Sequence, residues 1–166
     1  MFNEDVENPD GYLLAIPSTG QVVGTVPSVA APPKKVREPN FVKCYAATMA
    51  TLFGVGFTAM KLFMMLAKRM EYAENGQVVF LSPARRRNIQ KELGIGKSAF
   101  DKSLRALREN GLAVRVENNV YALNPAIAGK GDWKNIHNIM TLINFKTGEI
   151  SNGFEYDKPD DSELNW

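Results

Sequence analysis

From Phe41 onward, apolar residues recur every three to four positions, at Phe41, Tyr45, Met49 and Leu52. That period predicts an amphipathic helix ending at the "GVG" of residues 54–56. A second helix, about Thr58 to Met70, reads "AMKLFMMLAKRM" and is apolar on most sides, so it is expected to be the most buried element. "GQVVFLS" (76–82) is a strand candidate, and Ser82-Pro83 supplies an N-cap followed by proline at the first helical position. The helix starting there runs through "ARRRNIQKEL" to Gly94. After a short turn, "KSAFDKSLRALREN" predicts another helix, closed by Asn110-Gly111. "LAVRVENNVYAL" then alternates on both sides of Glu117-Asn118-Asn119, a β-hairpin signal.

Ahead of this series, "GYLLAIPSTGQVVGTVP" (11–27) reads as two β-prone runs around a Ser-Thr-Gly turn. Pro32, Pro33 and Pro39 break the stretch that follows, which marks a linker at about 28–39. The expected class is α+β, mainly helical: a winged helix-turn-helix whose wing is the β-hairpin. The expected organisation is an N-terminal hairpin or arm with its linker (1–39), the winged domain (40–131) and a C-terminal extension with an acidic tail (132–166).

In a helix-turn-helix the second helix enters the major groove of duplex DNA. Successive helical residues turn by about 100°, so Phe100, Leu104 and Leu107 share one face with Ser103 beside them, and that face should pack on the domain. The opposite face carries Ser98, Lys102 and Arg105, with Lys97 at the helix start and Asp101 on its flank. Lysine and arginine donate to guanine edges or phosphate, and a serine near a helix start bonds a phosphate oxygen. Arg108, late in the helix, is expected to reach the backbone at most. Arg85 and Arg86, from the trio Arg85–Arg87, are candidate phosphate ligands, since at most two of the three can face one duplex. Arg115, Asn118 and Asn119 form a candidate wing contact, although asparagines there also serve the turn itself.

Charge strengthens this picture. The net charge is only +2, but residues 1–33 and 151–166 each carry −4, which leaves +10 on residues 34–150. A basic body between acidic ends suits a polyanionic partner, and a solvated basic face would give the same sum. Chemistry is constrained from the other side. One cysteine, Cys44, and one histidine, His137, make neither a disulfide, a structural zinc site nor an activated nucleophile, so no cofactor or metal is expected. Cys44 reads as a packed helix residue. No run approaches the roughly 18 apolar residues of a membrane span, and the acidic start does not suit a signal peptide, so the expected location is cytoplasmic.

"GIGKS" (94–98) is reminiscent of a phosphate-binding loop, yet the Walker pattern requires a glycine where this chain has Lys91, and it follows a strand, not a helix. A P-loop hydrolase is therefore disfavoured and no enzyme is expected. The apolar stripe of Phe41, Tyr45, Met49 and Phe53, beside the methionine-rich second helix, is a candidate homodimer interface; folding of the N-terminal hairpin and the tail after Trp133 over the stripe is the alternative.

The run from Asn40 to Trp133 resembles the RepL family of plasmid replication initiators. The likeness is strongest in "KELGIGKSAFDKSLRALRENGLAVRVENNVYALNPAIAGKGDW", where the wing runs directly into an Asn-Pro, a short apolar spacer and Lys-Gly-x-Trp. "NFVKCYAATMATLFGV" is similar to that family's first helix. The resemblance implies sequence-specific binding of double-stranded DNA at a replication origin and recruitment of host replication proteins. The residues alone support duplex binding, which a dimeric winged-helix transcriptional regulator would share. In the segment after the wing, Trp133 is expected to pack over it, while Lys130 remains open between packing and phosphate.

Overall fold

The computed structural model describes residues 12–15, 24–27 and 41–158. It divides the chain into two units, Met1–Pro39 and Asn40–Trp166. In the first, β1 (Tyr12–Ala15) and β2 (Gly24–Pro27) pair antiparallel, with Tyr12 opposite Pro27 and Ala15 opposite Gly24. The Ser-Thr-Gly turn, the proline-rich linker and the acidic residues from 159 onward lie outside the described residues.

The second unit is α+β with five helices and small antiparallel sheets among its described residues. It opens with β3 (Lys43–Cys44), then α1 (Ala46–Phe53) and α2 (Phe57–Arg69). A single 3₁₀ turn, Ala73–Asn75, leads to β4 (Val78–Phe80), α3 (Pro83–Leu93) and α4 (Lys97–Glu109). The hairpin β5 (Ala113–Glu117) and β6 (Val120–Leu123) follows, then β7 (Ala128–Gly129) and α5 (Trp133–Leu142). The pair β8 (Ile143–Asn144) and β9 (Glu149–Ile150) completes it. β6 lies between β4 and β5 in a three-stranded sheet, and β3 pairs with β7.

The helix expected from Phe41 begins five residues later, at Ala46. Its apolar spacing is helical, but Lys43 and Cys44 find ladder partners in Gly129 and Ala128, and Tyr45 donates its backbone N–H to Ile127 O at 3.1 Å. A partner distant in sequence outcompetes the local helical bond. Cys44 is consequently exposed on β3, not packed in a helix. α2 also differs from expectation: it buries one stripe (Ala59, Leu62, Phe63, Leu66, Ala67) and leaves Lys61, Met64 and Lys68 exposed opposite.

The sheet separates two cores because neighbouring strand residues point to opposite faces. Val79, Ala113, Tyr121 and Leu123 face α1–α4, together with Leu52, Phe63, Leu66, Ile89, Phe100, Leu104 and Leu107. Val78, Phe80, Val114, Val120 and Ala122 face the other way, against Ile136 and Ile139 of α5, Ile143 and Phe145. Much of the segment expected as a mere extension therefore forms a second packed layer.

A buried glutamine ties these parts together. Gln77, fully buried with φ 51°, donates from Nε2 to the carbonyls of Leu123 (3.2 Å) and Ala128 (2.9 Å) and accepts the Lys130 N–H at Oε1 (3.0 Å). Such full pairing is what makes a buried amide tolerable. Lys130 gives its ammonium to Met70 O at 2.9 Å and sits over the Tyr72 ring, a packing role. Trp133 does not cover the hairpin; it starts α5, 55% exposed, with its ring edge-on to Tyr45 at 5.7 Å.

Candidate nucleic-acid interface

The Ser82 hydroxyl caps α3 by accepting the Arg85 N–H at 3.3 Å, and Pro83 occupies the first turn, where its missing N–H costs nothing. Gly94 ends the helix in the left-handed region, φ 65°, which allows Ile95 N to reach Gln90 O at 3.0 Å. Gly96 then precedes α4 in an extended conformation. Gly94–Gly96 is thus a helix-to-helix turn, Lys97 and Ser98 open α4, and the element leading into the turn is a helix, not a strand.

α4 buries Phe100, Ser103, Leu104 and Leu107, as its spacing requires. Lys97, Ser98, Asp101, Lys102 and Arg105 are exposed on the rest of the helix. The β5–β6 connection is tight, with Asn119 at φ 61° and a register shift between Arg115 and Glu117. Asparagine tolerates that left-handed conformation better than most residues. Asn118 is exposed and accepts from Arg115 Nη2 at 2.9 Å, and Arg115 Nε donates to Glu117 O at 3.3 Å.

The arginine trio divides by burial. Arg85 is only 5% exposed and donates from Nη1 to Phe80 O at 3.3 Å, so its placement contradicts a phosphate ligand. It shares the inward stripe with Ile89, one helical turn later, and burial lowers its pKa while Glu71 opposes that shift. Arg86 is half-buried and spans the interface. Its Nε donates to Leu81 O (3.2 Å), and Nη2 reaches Asn119 Oδ1 (3.3 Å) and Tyr121 OH (3.5 Å). Nη1 lies 3.6 Å from Asp101 Oδ1, and the guanidinium stands 5.8 Å from the Phe100 ring centre. One side chain on α3 thereby links the hairpin tip to α4. Arg87 is the exposed member of the trio.

The residues expected at a dimer contact are not gathered on one helix. Phe41 (54% exposed) and Tyr45 precede α1, and Tyr45 is half-buried beside Trp133. Met49 is half-buried and Phe53 is 65% exposed, both on α1. Phe57 and Met64 of α2, exposed by 66% and 43%, extend the apolar surface instead.

A family model described as Firmicute plasmid replication protein (RepL) matches residues 19–163. The chain belongs to the RepL family. The match takes in β2 and reaches past β9, so the second layer belongs to what the RepL chain shares with its family, beyond the Asn40–Trp133 run that carries the resemblance. Neither a curated protein nor a solved structure matches it. Among the described residues no helix is long and apolar enough to cross a membrane.

Proposed function

We propose that this RepL protein is a winged-helix initiator that binds the double-stranded DNA of its plasmid's origin, with α4 as the recognition helix and the β5–β6 hairpin as the wing. The observation that carries this reading is the division of α4 into a buried apolar stripe and an exposed face bearing Ser98, Lys102 and Arg105. Lys97 stands at its start, and Arg86 holds the hairpin tip beside it. An exposed helix face of this chemistry fits a major groove and reads base edges through its cations. The protein acts by binding, not catalysis, in the cytoplasm, and it brings host replication proteins to the origin. Its Gly-Lys-Ser run ends the turn between two helices and opens α4, which favours the binding reading over a nucleotide hydrolase.

A homodimer is part of the proposal. It is supported by the exposed Phe53, Phe57 and Met64 on α1 and α2. Two copies joined there would present two α4 helices to half-sites about 34 Å apart, one turn of duplex.

Footprinting on fragments of the protein's own replicon tests the function. Protection at the origin is expected; protection confined to promoters would favour a dimeric transcriptional regulator instead. Lys102→Ala should weaken origin binding by about 1–3 kcal/mol and affect random duplex less, as loss of a base-edge contact does. Equal losses on both DNAs would assign Lys102 to phosphate, and no loss would mean that α4 docks by another face.

A further inference from the structure

Beyond the exposed face of α4, an open groove runs between the end of that helix, β5 and the β8–β9 turn. Arg105, Arg108, Arg115 and Lys146 line it, with Glu109 as the one carboxylate. We propose that this groove is a second contact site for duplex DNA, holding the phosphodiester backbone next to the stretch read by α4. The proposal rests on the duplex-binding reading above and adds Arg108 and Lys146 to it.

Three features build the site. Phe145, buried in the second core, anchors the β8–β9 turn. Gly111 lets that turn approach the end of α4: at φ 69°, a Cβ there would lie 3.0 Å from Phe145 O, so a side chain would push the two apart. Asn144 Oδ1 accepts the N–H groups of Lys146 (3.1 Å) and Thr147 (3.2 Å), while Asn144 O accepts that of Gly148 (2.7 Å). The turn is thereby fixed, with Lys146 exposed on the groove.

Helix C-termini normally repel anions through their free carbonyls. Here Ala106 O accepts from Asn110 N (3.1 Å) and Nδ2 (2.8 Å), and Leu107 O accepts from Leu112 N (2.8 Å), so several carbonyls are already satisfied. Four cations against Glu109 on the lining and Glu149, bonded to Thr147 at its edge, leave the local field positive. The groove offers four cationic side chains, the Thr147 hydroxyl is held by Glu149 Oε2 at 3.0 Å, and its one aromatic residue, Phe145, is buried. That chemistry suits phosphates and not the stacking of single-stranded bases. Arg105 lies both on the exposed face of α4 and in the groove, which makes the cationic surface continuous.

The test is a salt titration of duplex binding by the full chain, comparing Lys146→Ala and Arg108→Ala with the parent on origin DNA and on random duplex. Each substitution should lower affinity by the same factor on both DNAs and make the slope of log K against log salt shallower by about 0.9. Melting should be unchanged, and Lys146→Arg should restore binding. If the parent binds origin DNA while both variants match it in affinity and slope, the groove proposal is overturned and the α4 reading survives. A loss restricted to origin DNA also overturns it, since the groove would then be reading bases. Failure of the parent to bind either duplex at low salt overturns both readings together.

Discussion

Replacing Arg86 by alanine separates two roles that a basic residue at the start of α3 can have. As a phosphate ligand it would leave stability untouched. As the tie between α3, the hairpin tip and α4 it should not. Its guanidinium donates to Leu81 O at 3.2 Å and Asn119 Oδ1 at 3.3 Å, with Tyr121 OH at 3.5 Å and Asp101 at 3.6 Å. Hydrogen bonds from a charged donor are worth about 1.5–3 kcal/mol each when well buried. These are long, and the side chain is 25% exposed, so the lower end applies to the first two. The Asp101 pair, whose carboxylate is 48% exposed, adds under about 1 kcal/mol after solvent screening. The contacts overlap and water replaces part of them, so the net loss should be about 2–3 kcal/mol. In a urea titration that lowers the midpoint by about 1–2 M with an unchanged slope. Arg86→Lys should recover less than half of the loss, because an ammonium cannot span the same partners. Affinity for origin DNA should fall as the β5–β6 hairpin tip loosens against α4. An unchanged midpoint, with equal loss of affinity on all duplexes and a shallower salt slope, would refute the tie and return Arg86 to phosphate binding.

Leu104→Ala removes a side chain that is 5% exposed in the first core, and should destabilise the protein by about 2–5 kcal/mol in the same titration; a parent-like curve would overturn the facing of α4. Phe53→Glu or Phe57→Glu places a charge in the proposed dimer contact. Sedimentation should show the parent at twice the 18.4 kDa chain mass and the variants as helical monomers that bind a paired site far more weakly. A parent that sediments as a monomer with and without DNA would refute the dimer.

The local elements from Ser82 to Leu123 were legible in the sequence because their signals are local. The Ser82-Pro83 start, the left-handed Gly94, the i, i+3, i+4 and i+7 spacing of Phe100, Ser103, Leu104 and Leu107, and the Asn118-Asn119 turn each act within a few residues. The exposed Ser98, Lys102 and Arg105 follow from that spacing as its complement. Tertiary partners decided the rest. Residues 43–45 have a helical pattern but extend because Ile127–Gly129 supplies their backbone bonds. Arg85 and Arg86 are adjacent and chemically identical, yet one is buried against Phe80 O and the other ties Asn119 to α4, a difference set by which side of α3 the sheet covers. Gln77, Lys130 and Lys146 find their partners or their groove only when segments distant in sequence meet. Periodicity states which face of an element turns inward; it carries no information about what waits on the other side.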